Sequence, residues 1–576
     1  MITLGINSVF HDSAACLVKD GEVLAAAEEE RFTRIKHGKR PLPFTVWELP
    51  HHAIDYCLAA AGIELAEVDH VAYSFDPSLL LENHKFPLEL PLEPSTFATK
   101  ASWVSPWEPL ALAYVVNAER QLLDGAPHHL RKRFSSARRE RHWQWHFVEH
   151  HLSHEASAFL AAPYRESAVM TLDGRGELAT TSFGCFTGDD YRRISQVQVP
   201  HSLGLLYEQV TDYLGFLHSS DEYKVMALAS YGDPVYANEF RRLISLSGGG
   251  YEIRKPDLRE MFGPSRTRGG PLEKQHFDIA RSLQLVLEEC AIELSRWLHD
   301  ETGADNLAMA GGVALNCVMN ARVRDAGHFK DVWVQPAAGD AGTALGAALW
   351  TDWEARGRQR SWHMDHAYFG PSYSDEEIEA FLKRGKLSYR RLTDVARETA
   401  AILAEDRIVG WFQGRMEFGP RALGARSILA SPLSADMQQR LNEIKDREDF
   451  RPVAPVVLEE EAGRWFVNAA GNGTATSIRS PFMLFVYDVA PDKAERIPAV
   501  RHVDGTARIQ TINRSQNALY YDLIKAFQKR TGVPVLVNTS FNTRSEPVVC
   551  TPRDAVECFW TSPIDALVIG SYLLRK

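Results

Sequence analysis

Continuous apolar runs broken by small polar turns set the pattern at the start of the chain. Residues 2–6, 14–18 and 23–27 read as buried strands. Residues 7–13 form a polar turn between the first two, and Lys19-Asp20-Gly21 closes a hairpin before the third. Residues 44–62 carry helical spacing with Gly62 as the stop, and 68–74 read as a strand. Trp143, Trp145 and Phe147 alternate with polar residues, so 143–149 is expected to be a strand running into His150. Strands at 167–172, 306–310 and 331–335 then alternate with helical stretches around 277–300, from about 314, and in the alanine-rich segment after Gly339. Such alternation predicts an α/β fold. Residues 80–140 show no period, and the basic run at 128–143 reads as a solvated helix face.

Apolar periodicity lapses at 360–375 into polar and Gly-Pro residues. A fresh α/β pattern follows, with a helix at 393–405, a strand at 408–412 and a strand–turn–helix near 533–560. Two domains are expected, 1–365 and 366–576, because 576 residues exceed what one core holds. No short internal repeat is visible. With 45% apolar and 24% charged residues the chain is globular rather than disordered. A net charge of -11 argues against a nucleic-acid partner. No run reaches the roughly 18 apolar residues of a membrane helix, so no membrane partner is expected. The opening segment lacks a basic n-region and is interrupted by His11-Asp12, so it does not read as a signal peptide. Seven cysteines without a CxxC pair read as reduced thiols, and a cytoplasmic protein is expected.

Three small-residue turns sit where strands are expected to end: Asp173-Gly174-Arg175-Gly176, then 310–316 with Gly311, Gly312 and Asn316, then Gly339-Asp340-Ala341-Gly342-Thr343. Glycine lets backbone N–H groups approach phosphate, and a following helix N-terminus favours the same charge. Each turn alone also fits a plain strand–helix connection. In this order, after an N-terminal hairpin, the three resemble the phosphate and adenosine loops of the actin, Hsp70 and sugar-kinase superfamily.

His150 and His154 form HxxxH, which on a helix puts both imidazoles on one face. With 21 histidines in 576 positions, roughly 0.8 such pairs arise by chance. His142–His146 and His146–His150 share the spacing but fall on the alternating strand pattern. What singles out His150 and His154 is Asp340: two imidazoles and a carboxylate suit Fe(II) or a similar divalent ion.

After 366 the sharpest strings are GRMEFGPRALGARSILASP (414–432), KDREDFRPVAPVVLEEE (445–461), HVDGTARIQTI (502–512) and PVLVNTSFNTRSEPVV (534–549). They gather Arg415, Arg421, Arg426, Lys445, Arg447, Arg451 and Arg508 beside glycines and small residues. Guanidinium forks match phosphate bidentately, and Asn538, Ser540 and Asn542 offer hydrogen bonds to a planar amide. The alternative is that each Arg pairs with Glu417, Asp446, Glu448, Asp449 or Glu459.

VEHHLSH (148–154), GGVALN (311–316) and GDAGTALG (339–346) resemble the Kae1-like domain of the NodU/CmcH-type O-carbamoyltransferases of nodulation-factor and antibiotic pathways. The later strings resemble that family's YrdC-like domain. FHDSAACLV (10–18), AAAEEERFTRIKHGK (25–39), SLGLLYEQVTDYLGF (202–216) and DEYKVMALASYG (221–232) extend the likeness over nearly the whole chain, weakest at 80–140. Departures from the family pattern are Ala425, Ser431 and Ser545. The resemblance implies an N-terminal actin/Hsp70/sugar-kinase-like (Kae1-like) domain and a C-terminal YrdC-like α/β domain. It implies a metal, Fe2+ or another divalent ion, on His150, His154 and Asp340. It further implies ATP, with Mg2+, on Asp173, Gly174, Arg175, Glu222, Lys224, Gly311, Gly312 and Asn316. Carbamoyl phosphate would meet Arg415, Arg421, Arg426, Lys445, Arg451, Arg508, Asn538, Ser540 and Asn542. The expected reaction passes through a carbamoyl-adenylate to a hydroxylated small molecule.

A hydroxyl acceptor needs a general base near neutral pH, and His11 beside Asp12 is the candidate. Histidine tying down the turn is the plainer role, and Lys224 could pair with Glu222. Two other functions fit the scaffold: a small-molecule kinase, against which the Arg-rich second domain argues, and a nucleotide-switch protein, which needs no His–His–Asp set. The acceptor and the assembly state are not legible, with a homodimer as the candidate assembly.

Overall fold

In the computed structural model, residues 1–38, 49–82, 115–124, 142–468, 478–543 and 546–576 are described. Strand β1 (Ile2–Asn7) pairs antiparallel with β2 (Ala14–Lys19), and β2 with β3 (Glu22–Glu28). Apart from Ile2 and Lys19, every residue of β1 and β2 is buried, which is why these strands read as continuous rather than alternating apolar runs. Helix α1 (His51–Ala61) follows and is closed by Gly62 in the left-handed conformation, φ 67°. Of the helix expected at 44–62, residues 44–48 lie outside the described residues, and 49–50 precede the helix. β4 (His70–Tyr73) adds parallel to β1, and β5 (Gln144–Phe147) parallel to β4, giving the order β3-β2-β1-β4-β5. Within 80–140 the described residues include a short helix at Ala118–Asp124; most of the basic run lies outside them.

A second sheet repeats the plan. After helix α2 (His150–Phe159), β6 (Glu166–Leu172), β7 (Ala179–Thr187) and β8 (Asp190–Gln198) form an antiparallel meander. Helices α3 (Leu203–Tyr213) and α4 (Glu222–Leu228), the hairpin β9 (Ile244–Ser247) and β10 (Gly250–Ile253), and the long helix α5 (Lys274–Thr302) intervene. β11 (Asn306–Ala310) then joins β6 in parallel, and β12 (Asp331–Val334) joins β11, giving β12-β11-β6-β7-β8. Each half thus has a central first strand, two antiparallel successors on one side and two parallel crossover strands on the other. This doubled plan is the actin/Hsp70/sugar-kinase-like architecture, and no sequence repeat announces it.

Helix α6 (Cys317–Asp325) starts later than the 314 expected, because residues Gly312–Leu315 form a 3-10 turn and Asn316 caps the helix. Helix α7 (Ala341–Ala355) follows β12, as α2 follows β5. α7 packs on both α2 and β1. A Cβ on Gly346 would lie 1.7 Å from the Ser153 carbonyl oxygen, and one on Gly5 would lie 1.9 Å from that of Ala344. The small-residue composition of α7 is therefore a packing requirement. Gly346→Val is expected to cost more than the about 1–3 kcal/mol typical of overpacking, because backbone must give way. Urea unfolding measures this; an unchanged midpoint would show that the two helices can part.

The chain divides into compact units at Met1–Met364 and Asp365–Lys576. The second begins with α8 (Asp375–Arg384), β13 (Arg390–Arg391), α9 (Val395–Ala404), β14 (Val409–Phe412) and β15 (Arg426–Ala430). Then come α10 (Met437–Ile444), β16 (Ala454–Leu458), β17 (Phe466–Val467), β18 (Val486–Val489), β19 (Thr506–Arg508) and β20 (Gln510–Ile512). It ends with α11 (Ala518–Thr531), β21 (Val535–Ser540), α12 (Pro552–Thr561), β22 (Ala566–Ile569) and β23 (Tyr572–Arg575). Eight strands form one mixed sheet, β13-β23-β22-β14-β15-β21-β16-β20, with β17-β18-β19 as a small second sheet. Among the described residues no helix is long and apolar enough to cross a membrane.

Candidate active site

α2 begins at His150, so its imidazole and that of His154, one turn on, leave the same face. Asp340 precedes α7 and Asp173 follows β6. His150 Nε2 lies 3.6 Å from Asp340 Oδ1 and 3.8 Å from Asp173 Oδ2; His154 Nε2 lies 3.7 and 3.9 Å from the same atoms. All four residues are buried, and one ligand atom of each lies within 4.8 Å of the others. These separations are too long for hydrogen bonds. His150 Nε2, His154 Nε2 and Asp340 Oδ2 are buried with no hydrogen-bond partner among the described residues. Buried polar atoms are normally paired, so the converging unpaired set fits a divalent cation, which such ligands hold at about 2.0–2.2 Å. The cluster could hold a metal with four protein ligands rather than the three expected. Asp173 was expected among the nucleotide contacts; its Oδ1 accepts from the Gly312 N–H at 2.8 Å while Oδ2 faces the histidines.

Charge keeps the two carboxylates of the cluster ionised, the form in which they ligate. Burial pushes the Asp340 carboxyl up, but His11 and His150 bring it down to about 2. For Asp173 burial is likewise outweighed by His150 and His154, and the carboxyl sits below the usual range. His150 is raised well above its ordinary value, since Asp340 and Asp173 overcome the opposing effect of burial. The helix carrying the pair is held from behind. Arg193 of β8 donates to Glu155 at 2.7 Å and to Glu149 at 2.6 Å, so one guanidinium grips the residue beside each histidine. The His150 N–H donates to Glu177 at 3.0 Å, a carboxyl that burial pushes up to about 7.

The turn after β1 lies against this cluster. Asn7 at the strand end donates to the His11 and Asp12 carbonyls at 3.1 and 3.2 Å. His11 Nδ1 lies 3.0 Å from Asp12 Oδ2 and 3.7 Å from Asp340 Oδ2. The Phe10 ring stands edge-on to His150, centroids 5.2 Å apart, and Arg175 lies 5.0 Å over Phe10.

The nucleotide candidates divide. Gly311 has φ 92°, and a Cβ there would lie 2.2 Å from the Leu172 carbonyl oxygen, so only glycine fits. A Cβ on Gly174 would meet only Glu208, at 3.5 Å. Asn316 caps α6 through the Met319 N–H at 3.0 Å and exchanges hydrogen bonds with Gln284 at 2.8 and 3.1 Å. Burial and the neighbouring Glu208 push the Glu222 carboxyl up to about 7. Lys224 forms an ion pair with Asp221 at 3.2 Å.

In the second unit, Lys445 donates to the Ser540 carbonyl at 2.6 Å, to the Ser540 hydroxyl at 3.0 Å and to Asn542 Oδ1 at 2.6 Å. Ser545, the third departure from the family pattern, lies outside the described residues. Two of the expected substrate contacts, Arg426 and Asn538, bond to the backbone and side chains of this unit. Arg426 is fully buried 3.7 Å over the Phe412 ring, with its terminal nitrogens donating to carbonyls of Gln413, Gly414, Ala425 and Pro371. Asn538 is buried and donates to the Ala422 carbonyl and to Gln510. Arg415 donates to the Phe369 carbonyl at 2.7 Å, and Arg421 is half-buried in the β14–β15 loop. Arg451 stands 3.7 Å from Glu448. Glu417, the suggested Arg partner, instead accepts from the backbone N–H groups of Leu423 and Ala425. Arg508 is the clearest anion candidate: its Nε is buried without a hydrogen-bond partner among the described residues. His502, which the sequence reading passed over, has an unpartnered buried Nε2; burial and the Arg508 charge lower its pKa to about 4.

The family described as carbamoyltransferase N-terminus matches residues 2–349, and that described as carbamoyltransferase C-terminus matches residues 400–576. An uncharacterized protein of Synechocystis sp. is 40% identical over 621 residues, covering 100% of this chain and 96% of its own. Nodulation protein NolNO of Sinorhizobium fredii is 39% identical over 99% of this chain and 80% of its own. Among solved structures, T. kodakarensis HypF aligns at 14% identity and a TM-score of 0.32, over 62% of this chain and 48% of that one.

Proposed function

The chain belongs to the carbamoyltransferase family, and we propose that it uses ATP to move the carbamoyl group of carbamoyl phosphate onto a hydroxyl of a small molecule, a natural product or antibiotic. The buried His150–His154–Asp173–Asp340 cluster carries this reading, since it sits at the strand ends of an ATPase-like unit and beside a histidine able to act as base. Phosphoryl transfer alone would call for no such set.

In this reading Lys445, Ser540, Asn542 and Arg508 hold carbamoyl phosphate, with Arg421 and Arg451 near the phosphate. Its cleavage by water gives carbamate and phosphate. A carbamate oxygen attacks the α-phosphorus of ATP, pyrophosphate leaves, and carbamoyl-adenylate forms. The strand-end turns at Gly174, Gly311 and Asp340 face the nucleotide phosphates. His11, held by Asp12, takes the proton of the acceptor hydroxyl as its oxygen attacks the carbamoyl carbon and AMP leaves. A divalent ion on the His/Asp cluster, Fe2+ or another, would stabilise negative charge developing on the phosphate leaving group, while Mg2+ accompanies ATP. The seven free cysteines suit a reducing cytoplasm.

Incubation with ATP and carbamoyl phosphate is expected to release AMP and pyrophosphate in equal amounts. Release of ADP would make the protein a kinase and overturn the reading. Mass spectrometry over a panel of hydroxylated natural products then identifies the acceptor as the one gaining a carbamoyl group.

A further inference from the structure

In the segment Lys36–Gly38, His37 meets the first turn. The His37 carbonyl accepts from the Asp12 N–H at 3.1 Å, and its Nδ1 lies 2.9 Å from Asp12 Oδ1. Asp12 Oδ2 faces His11 Nδ1 at 3.0 Å, so one carboxylate bridges two imidazoles. On its far side His37 Nε2 lies 3.1 Å from the Ser220 hydroxyl, and its backbone N–H donates to Glu30 at 2.7 Å. Asp12 and His37 both hold positive φ, 51° and 61°. That region is unfavourable for residues with a Cβ and is occupied where surrounding contacts fix it.

We propose that His37 is a positioning residue for the transfer step: it fixes Asp12, which in turn fixes the ring orientation and tautomer of His11. The bond network assigns the protons. A Ser220 hydroxyl donating to His37 Nε2 leaves Nδ1–H to donate to Asp12 Oδ1. Asp12 is then a full acceptor for His11 Nδ1–H, and His11 Nε2 keeps its lone pair for the acceptor proton. The Asp12 carboxyl agrees: burial raises it, but His37 and then His11 hold it well below the usual carboxylate range. Such outer partners of a base act on orientation and tautomer without touching substrate. The inference rests on the reading of His11 as the base.

The test uses the full chain with ATP and carbamoyl phosphate, and water as the probe acceptor, read as AMP release. His37→Ala is expected to lower kcat on the order of 10- to 100-fold, as loss of an outer partner does. The KM for carbamoyl phosphate and the rate of ATP–pyrophosphate exchange, which needs no base, should hold. His37→Asn, whose amide nitrogen can replace Nδ1, should restore most of kcat. In a His11→Ala background His37→Ala should cost nothing more, because the residue it positions is gone. Ser220→Ala should give a smaller kcat loss that also vanishes without His11. Equal loss in both backgrounds, or a parallel fall in exchange, overturns the positioning role. AMP release unchanged in His11→Ala alone overturns the base assignment instead, whatever His37 does.

Discussion

His154→Ala is expected to strip the metal and reduce carbamoyl transfer by at least about a thousandfold while the protein stays folded. The wild-type cluster offers two imidazole nitrogens and two carboxylates, all buried. Loss of outer-shell partners already costs about 10- to 100-fold in metal affinity, and a direct ligand should cost more. The ion is asked to supply several kcal/mol of charge stabilisation in the transition state; about 4 kcal/mol corresponds to roughly a thousandfold. Folding should survive for a specific reason. Both ring nitrogens of His154 are buried without a hydrogen-bond partner among the described residues, so the imidazole stabilises little in the metal-free protein. Alanine also suits a helix interior. Metal analysis and thermal unfolding with and without Fe2+ read the two halves of the prediction. A ligand at a hundred times its Kd stabilises the wild type by about 2.7 kcal/mol, and the variant should gain none of it. Unchanged metal content in His154→Ala would sink the assignment. Asp173→Asn adds a finer test, since loss of metal there marks a ligand, whereas loss of ATP affinity alone marks a nucleotide contact.

Much of the first unit is legible in the sequence because its signals are local. The hairpin, the HxxxH helix and the alanine-rich helix each depend on spacing within a few residues. What escaped depends on which strands lie side by side. Asp173 reads as a phosphate turn from its neighbours, and its place among the ligands exists only because β6 pairs with β11, which brings Gly312 to one carboxylate oxygen and leaves the other facing the histidines. The duplication of the two sheets is likewise invisible, since equivalent strand ends carry His11, Asp173, His150 and Asp340, four positions with no shared sequence motif. His37 lies 25 residues from Asp12 in a segment that no periodicity singles out.

The second unit shows the opposite failing. Seven cationic residues near glycines suggested one anion site, but charge in sequence does not say which side chains point inward. The antiparallel pairing of Phe412 with Arg426 sets that guanidinium over the aromatic ring and among backbone carbonyls, where it ties the β14–β15 ends together. Asn538, directly across from Leu429 and Ala454, is enclosed by its own sheet. Lys445, Ser540 and Asn542 do come together, because α10 ends beside the end of β21.

Arg508→Ala is therefore expected to weaken carbamoyl-phosphate binding about 10- to 150-fold, the worth of one charge-assisted phosphate contact of roughly 1.5–3 kcal/mol. ATP affinity should stay near the wild-type value, since the nucleotide residues argued above all precede 365. Arg508 separates binding from folding better than its neighbours do. Its Nε has no hydrogen-bond partner among the described residues, so truncation breaks no hydrogen bond at that nitrogen, and the unliganded protein should be about as stable as before. Arg426→Ala provides the contrast: it strands several buried carbonyls and empties the space over Phe412, and should lower stability by about 3 kcal/mol or more before any binding can be measured. Arg508→Lys should recover only part of the affinity, because an ammonium keeps the charge but loses the fork. Calorimetric titration with carbamoyl phosphate, and separately with ATP, reads both affinities. If Arg508→Ala bound carbamoyl phosphate as the wild type does, the anion would have to be held without the β19 guanidinium, and the site would shrink to Lys445, Ser540 and Asn542.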